Sequence, residues 1–243
     1  MTEALNAIAD VQDEVRRNGF AFRSRAAMGR VLDGTAMAQW DSFAASWDDL
    51  GQDTYMADGG RYRRRRFAAF GVSAGKVDRK PHQSHYQSRD YNPLNGGIAR
   101  WFEPVTETIA THPVTIDLLK MCGGLFDSLT GEVADPLVWH VEMHQFRIEA
   151  ATGELGRPTP EGPHRDGVDW VLVLLVNRHN VTSGTTEIYD RDHKPLGQFT
   201  LTDPTDAVFV DDSRIFHGVT PIHPTEPGEP AFRDVLVLTF RRE

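Results

Sequence analysis

The amino-acid sequence predicts an α+β domain, with supporting helices over about residues 1–134 and a sandwich or barrel of short strands over about 135–243. Three observations predict it. Apolar residues recur at three- and four-residue spacing near the N-terminus. Seven short β-rich runs, separated by Gly, Pro, Asp and Asn turns, follow Asp135. No repeat or low-complexity linker divides the two regions. With 243 residues, 40% of them hydrophobic, the chain can bury one sizeable core, so a single domain over 1–243 is expected.

The first helix is expected over Ala4–Arg17, where Leu5, Ile8, Val11 and Val15 share a face and Gly19 supplies a stop. Met37, Trp40, Phe43 and Trp47 repeat that pattern and predict a second helix over Thr35–Trp47; Ile98–Leu119 has room for two more. Strands are expected at VWHVEMHQFRI (Val138–Ile148), DWVLVLLVN (Asp169–Asn177) and TEIY (Thr186–Tyr189). Four more follow at GQFTL (Gly197–Leu201), DAVFV (Asp206–Val210), IFHGVTPI (Ile215–Ile222) and RDVLVLTF (Arg233–Phe240).

A formal net charge of −9 argues against bulk attraction to nucleic acid or to an anionic membrane surface. No apolar run approaches the roughly 20 residues that cross a bilayer. The single cysteine, Cys122, excludes an internal disulfide framework, and a reducing cytoplasm is the expected compartment. A homodimer is compatible with these features.

The residues richest in chemical meaning are in GPHRDGVDW. His164 and Asp166 lie two apart, so on an extended backbone they point the same way and can grip one ion. His217, at a strand end in DDSRIFHGVTPI, is the best third ligand. Two imidazoles and one carboxylate on one side of an ion leave positions open, which suits Fe(II) and oxygen activation; zinc is the second fit. Arg233 enters an apolar strand, where a guanidinium needs a partner, and a ligand carboxylate would supply one. The competing reading of His164 and Asp166 is an ordinary turn, which leaves His217 and Arg233 unexplained.

TPEGPHRDGVDWVLVLLVNRHNV, FVDDSRIFHGVTPI and FRDVLVLTF in that order, with RYRRRRF, HQSHYQS and MHQFRI upstream, resemble the 2-oxoglutarate/Fe(II) dioxygenases, specifically the bacterial subfamily that includes free L-isoleucine hydroxylases. The resemblance runs from about Arg61 onward. It implies a double-stranded β-helix (jelly-roll) core with His164, Asp166 and His217 as iron ligands and Arg233 as the 2-oxoglutarate anchor. It also implies Fe(II), 2-oxoglutarate and O2 as the reacting set and a free aliphatic L-amino acid as the small-molecule substrate, hydroxylated or oxidised at sulfur. Where relatives often carry a Gly-Gly pair, this chain reads Thr182-Ser183-Gly184-Thr185-Thr186. Two alternatives stay open: a metal-binding sensor or assembly protein without turnover, and an oxygenase acting on a macromolecule.

Several further residues have two readings each. His140, Glu142 and His144 alternate on one strand face, too long a line to surround an ion, and are expected on a polar or helix-packed outer face. Gln145 and Arg147, on the opposite face, then either touch co-substrate and substrate respectively or belong to a polar core network. In Arg61–Arg66 the choices are a solvated basic face or a substrate carboxylate site, for which Arg64 is the candidate. Gln83, Tyr86 and Gln87 line the substrate pocket or form a polar loop. Glu161, beside the ligand pair, receives an ammonium or fixes its loop.

Overall fold

The computed structural model describes residues 2–131 and 136–243. Helix α1 (Thr2–Asn18) buries Val11 and Val15 and ends at Gly19, whose φ of +82° allows its N–H to reach the Val15 carbonyl at 2.8 Å. Then come β1 (Phe20–Arg23) and three short helices: α2 (Arg25–Met28), α3 (Gly34–Met37) and α4 (Trp40–Ala44), the last running into a 3₁₀ turn at Ala45–Asp49. The expected continuous helix over Thr35–Trp47 is therefore broken, with Gln39 out of helical conformation between α3 and α4. Phe43 and Trp47 are nonetheless fully buried. Periodicity reports which side is apolar, not whether backbone bonding is unbroken.

Next are β2 (Gly51–Gln52), β3 (Arg63–Ser73), β4 (Lys76–Arg79), α5 (Glu107–Ala110) and α6 (Pro113–Thr130). The strands of the second half are β5 (Trp139–Ala150), β6 (Trp170–His179), β7 (Val181–Ser183), β8 (Thr185–Tyr189) and β9 (Pro195–Thr200). The chain closes with β10 (Ala207–Asp211), β11 (Phe216–Val219), β12 (Ile222–Pro224) and β13 (Ala231–Arg242). The first 134 residues are thus not simply helical: they contribute β1 to β4, and β3 pairs with β5 from Arg63↔Ile148 to Val72↔Trp139. Four consecutive arginines hide the two-residue alternation that marks a strand. The expected boundary at residues 134 and 135 lies outside the described residues.

A large antiparallel sheet runs β1-β10-β6-β13-β5-β3-β2, with β4 added to β3. A three-stranded sheet, β11-β8-β9, and a β12-β7 pair complete the fold. Alternate residues of the large sheet face opposite ways. Val141 and Met143 of β5, Leu172 and Leu174 of β6, and Leu236, Leu238 and Phe240 of β13 pack with Leu118, Leu119, Cys122 and Phe126 of α6. On the other face, Val171, Val208 and Val210 pack with Ile188 of the small sheet. The space this face leaves between the sheets is the site.

Candidate active site

His164, just ahead of β6, pairs with His217 of β11 through reciprocal backbone bonds, each amide donating to the other's carbonyl at 2.9 Å. The carboxylate of Asp212 holds the intervening loop by accepting the amides of Asp166 (2.7 Å), Gly167 (2.8 Å) and Val168 (3.1 Å). Gly167, at φ +80°, is required there: a Cβ would lie 2.6 Å from the Tyr91 ring. Sequence reasoning passed over Asp212, although an acidic pair closing the DAVFV strand was a signal for it.

These restraints bring one ligand atom each of His164, Asp166 and His217 within 4.8 Å of one another. His164 Nε2 lies 3.7 Å from Asp166 Oδ1, and His217 Nε2 lies 3.3 Å from Asp166 Oδ2. The Gly162 carbonyl, 3.1 Å from His164 Nδ1, can only accept, so Nδ1 carries a proton and Nε2, facing Asp166, is the nitrogen left for a cation. His217 Nε2 is buried with no hydrogen-bond partner. Burial disfavours an imidazolium at His164, but the Asp166 carboxylate overrides it and pushes the group up to about 9. Burial likewise disfavours an ionised Asp166, yet His164 and His217 hold it well below the usual carboxylate range. A carboxylate clasped by two imidazoles favours a positive charge among them, which a divalent cation supplies.

The triad opens on a cavity of about 550 Å³. Arg233 of β13 lines it beside Val173, Val235 and Val237; it is 1% exposed, with Nε and Nη2 unpaired. Burial, and then Arg178 nearby, lower it to about 10. A buried guanidinium with free donors in an apolar slot fits a ligand carboxylate. Gln83, Tyr86 and Glu161 line the same cavity, Tyr86 with 62% of its surface exposed and Glu161 Oε2 buried without a partner. Gln87 donates to the Asp166 carbonyl (3.3 Å) and Oδ1 (3.4 Å).

Three expected contacts are not made, because β3 and β5 present the other parity to the cavity. Gln145 and Arg147 point to the helical layer, where Gln145 Nε2 donates to Ser46 Oγ at 2.8 Å and Arg147 clamps Asp234 and Asp48. Arg64 turns outward to Glu149 at 2.8 Å. The cavity receives instead Arg63 and Arg65 of β3, together with His140, Glu142 and His144 of β5, which are not on an outer face. Trp139, Val141 and Met143 settle the parity of β5, being large, apolar and packed under α6.

Glu142 and His144 meet His85 in a second group with ligand atoms within 4.8 Å. His85 Nδ1 lies 2.8 Å from Glu142 Oε2. Arg65 Nη2 donates to His144 Nδ1 at 2.5 Å; arginine has no acceptor, so the His144 proton is on Nε2, facing Glu142 at 3.6 Å. Burial holds His144 down to about 3. Burial opposes ionised Glu142, but His140, His144 and His85 outweigh it and keep it well below the usual range. A cation site needs the His144 nitrogens free; with Arg65 beside it, this group is a hydrogen-bonded wall of neutral imidazoles around one carboxylate.

Residues 44–239 match the family model described as 2OG-Fe dioxygenase, and the chain belongs to that family. Over 157 residues it is 27% identical to the L-isoleucine-4-hydroxylase of Bacillus thuringiensis, covering 64% of each chain. Over 159 residues it is 28% identical to the 3(1)-hydroxy-L-isoleucine 4-dioxygenase of Pantoea ananatis (strain AJ13355), covering 64% of this chain and 63% of that one. The matched part therefore spans just under two thirds of these curated relatives. Among solved structures, a bsmA homolog from Methylobium petroleophilum PM1 superposes with a TM-score of 0.85 at 36% identity, over 96% of this chain and 92% of that one. The fold is also that of IDO from Bacillus thuringiensis, with a TM-score of 0.79 at 18% identity over 97% and 99% of the two chains. Family membership brings Fe(II), 2-oxoglutarate and O2 as the reacting set. The cavity fits it: a two-nitrogen, one-carboxylate donor set in which buried His217 Nε2 makes no hydrogen bond, and unpaired Arg233 donors for a dicarboxylate.

Proposed function

We propose that this protein is a 2-oxoglutarate- and Fe(II)-dependent dioxygenase that hydroxylates, or oxidises at sulfur, a free aliphatic L-amino acid. The observation that carries the reading is the convergence of His164, Asp166 and His217 above a buried, unpaired Arg233 in one cavity. In this reading His164, Asp166 and His217 hold the iron and Arg233 receives the remote carboxylate of 2-oxoglutarate. Fe(II) bound there, with O2 and 2-oxoglutarate, supplies the oxidant that places one oxygen atom on the substrate, while 2-oxoglutarate leaves as succinate and CO2.

The protein's own contribution is positioning. The Gly162 carbonyl keeps a His164 proton on Nδ1, Asp212 locks the ligand loop, and Val173, Val235 and Val237 give Arg233 an apolar setting in the cavity wall. The two facing sheets fit a double-stranded β-helix core within a single domain over residues 1–243, working in the cytoplasm. The substrate class follows the curated relatives, whose names specify L-isoleucine and a hydroxylated L-isoleucine.

Succinate formation by the purified protein with Fe(II), ascorbate and 2-oxoglutarate, run against a panel of free L-amino acids with mass spectrometry for a product 16 Da heavier, tests the proposal. Stimulation by one amino acid supports it. Weak, unstimulated succinate moves the search toward peptides or larger substrates. No succinate from folded, iron-loaded protein favours a metal-binding sensor.

A further inference from the structure

Resting on that dioxygenase reading and extending it, we propose that the cavity reads its substrate as a zwitterion, with the α-carboxylate on a basic cluster of Arg63, Arg65 and Arg100 and the α-ammonium on Glu161.

The inference begins with unpaired polar atoms. Among the described residues, the buried side-chain atoms without a partner that also line the cavity are His217 Nε2, two donors of Arg233, Arg63 Nη2, Arg65 Nε, Arg100 Nε and Glu161 Oε2. Iron and 2-oxoglutarate account for His217 and Arg233. Three guanidinium donors and one carboxylate oxygen are left over, and buried groups of this kind are paired in folded proteins or wait for a ligand.

Charge accounting singles out Arg100. Asp53 contacts Arg63 at 2.7 Å and Arg65 at 3.7 Å, and it has no exposed side-chain surface to offer a ligand. Arg65 is further held between the Phe102 and Phe146 rings, 3.6 and 4.3 Å from their centroids. Arg100 is 3% exposed and has neither an ion pair nor a side-chain hydrogen bond among the described residues. Burial and then Arg63 work against its charge, and the more weakly acting Asp53, Glu161 and Glu142 offset them only in part. One carboxylate placed on this cluster would relieve that repulsion and fill the open donors.

Three carboxylates line the cavity, and with Asp166 assigned to the ligand triad two are left for the ammonium. Glu142 Oε2 already accepts from His85 and faces His144. Glu161 Oε1 lies 3.4 Å from Asn92 Nδ2 and 3.6 Å from His164 Nδ1, while Oε2 is buried and free, with only 6% of the side chain exposed. Glu161 also follows Pro160 in the loop that carries His164, so an ammonium on it would set the substrate next to the ligand triad.

Calorimetric titration of the protein loaded with Mn(II) and 2-oxoglutarate tests the inference. The probes are L-isoleucine, L-leucine and L-methionine, each beside its α-amide and its des-amino acid. The expected result is a loss of at least about tenfold in affinity for the amide and for the des-amino acid, as for ligands that leave buried polar groups unpaired. Arg100→Met should weaken the amino acid by a similar factor with no further loss on the amide, and Glu161→Gln should do the same for the des-amino comparison. Arg100→Met removes an unpaired buried charge, so its melting temperature is expected to equal or exceed the parent's. Amide binding as tight as the acid, des-amino binding as tight as the amino acid, or no amino-acid binding at all would overturn the inference. So would an Arg100→Met loss confined to 2-oxoglutarate, which would assign the cluster to the co-substrate. Succinate formed with no amino acid bound would sink the zwitterion site yet leave the dioxygenase standing, whereas its absence from iron-loaded parent would sink the dioxygenase reading itself.

Discussion

At the scale of single residues the cavity is a set of protonation states fixed by neighbours. Asp166→Ala removes the carboxylate between two imidazoles without opening a core void, because Asp166 sits in a surface-reaching loop held by its backbone. The expected outcome is loss of Mn(II) binding by calorimetry and of succinate formation to background, with an unchanged circular dichroism spectrum. Arg233→Met is expected to weaken 2-oxoglutarate by at least about tenfold, since a charge-assisted pair in an apolar slot is lost. His144 yields a pH prediction. Burial holds it neutral down to about 3, below the ordinary 6.5, so the unfolded chain binds the extra proton between those values. Its contribution to stability is complete above about pH 6.5 and is lost as the pH falls toward 3. His144→Gln is expected to flatten the fall of urea midpoint over that window.

At the scale of elements, turns and strand parity decide which side chains enter the cavity. Ser183 and Gly184, both at positive φ (63° and 72°), carry the chain from β7, paired with β12, to β8, paired with β11, and a Cβ on Gly184 would lie 2.8 Å from Ile222 Cγ2 and 3.6 Å from Arg233 Cδ. Gly184→Ala is expected to destabilise the protein by about 1–2 kcal/mol in urea unfolding. A rise in the 2-oxoglutarate dissociation constant should accompany it. Most strands after residue 135 were legible because Val, Ile, Leu and Phe alternate or cluster between turn residues, and the HRD of the ligand loop stands out beside them; the short β7 was not, and the single strand expected at Ile215–Ile222 is two, β11 and β12, pairing with different partners. β3 was not legible. Its inward residues Arg63 and Arg65 and its outward ones Arg64 and Arg66 are chemically identical, so only the packing of β3 on β5 separates them. The same ambiguity left two readings of Gln145 and Arg147, since β5 has polar groups on both sides, and the structure has the polar network rather than the cavity contact. Three of the cavity's charged residues, Arg63, Arg65 and Arg100, come from a region read as helix and loop, and no local pattern reports that they converge.

At the scale of the whole molecule, the helices cover one face of the large sheet and leave the other to chemistry. Cofactor binding should therefore act as a global stabiliser. Mn(II) with 2-oxoglutarate at about 100 times the dissociation constant is expected to add about 2.7 kcal/mol to unfolding, a shift of several degrees in melting temperature. Asp166→Ala should show almost none of it. A parent protein whose melting point ignores both additions would count against the cavity as their site.

The position of β13 in the large sheet has a consequence for how the protein is made. β13 lies between β5 and β6, yet it follows both of them, and every other strand of that sheet, along the chain. A ribosome therefore releases two half-sheets whose inner edges stay unpaired until residues 231–242 emerge, and those edges are open to wrong partners throughout translation. The strand bearing Arg233 closes the sheet and completes the cavity in one event, so a nascent chain acquires its shape and its capacity for 2-oxoglutarate together.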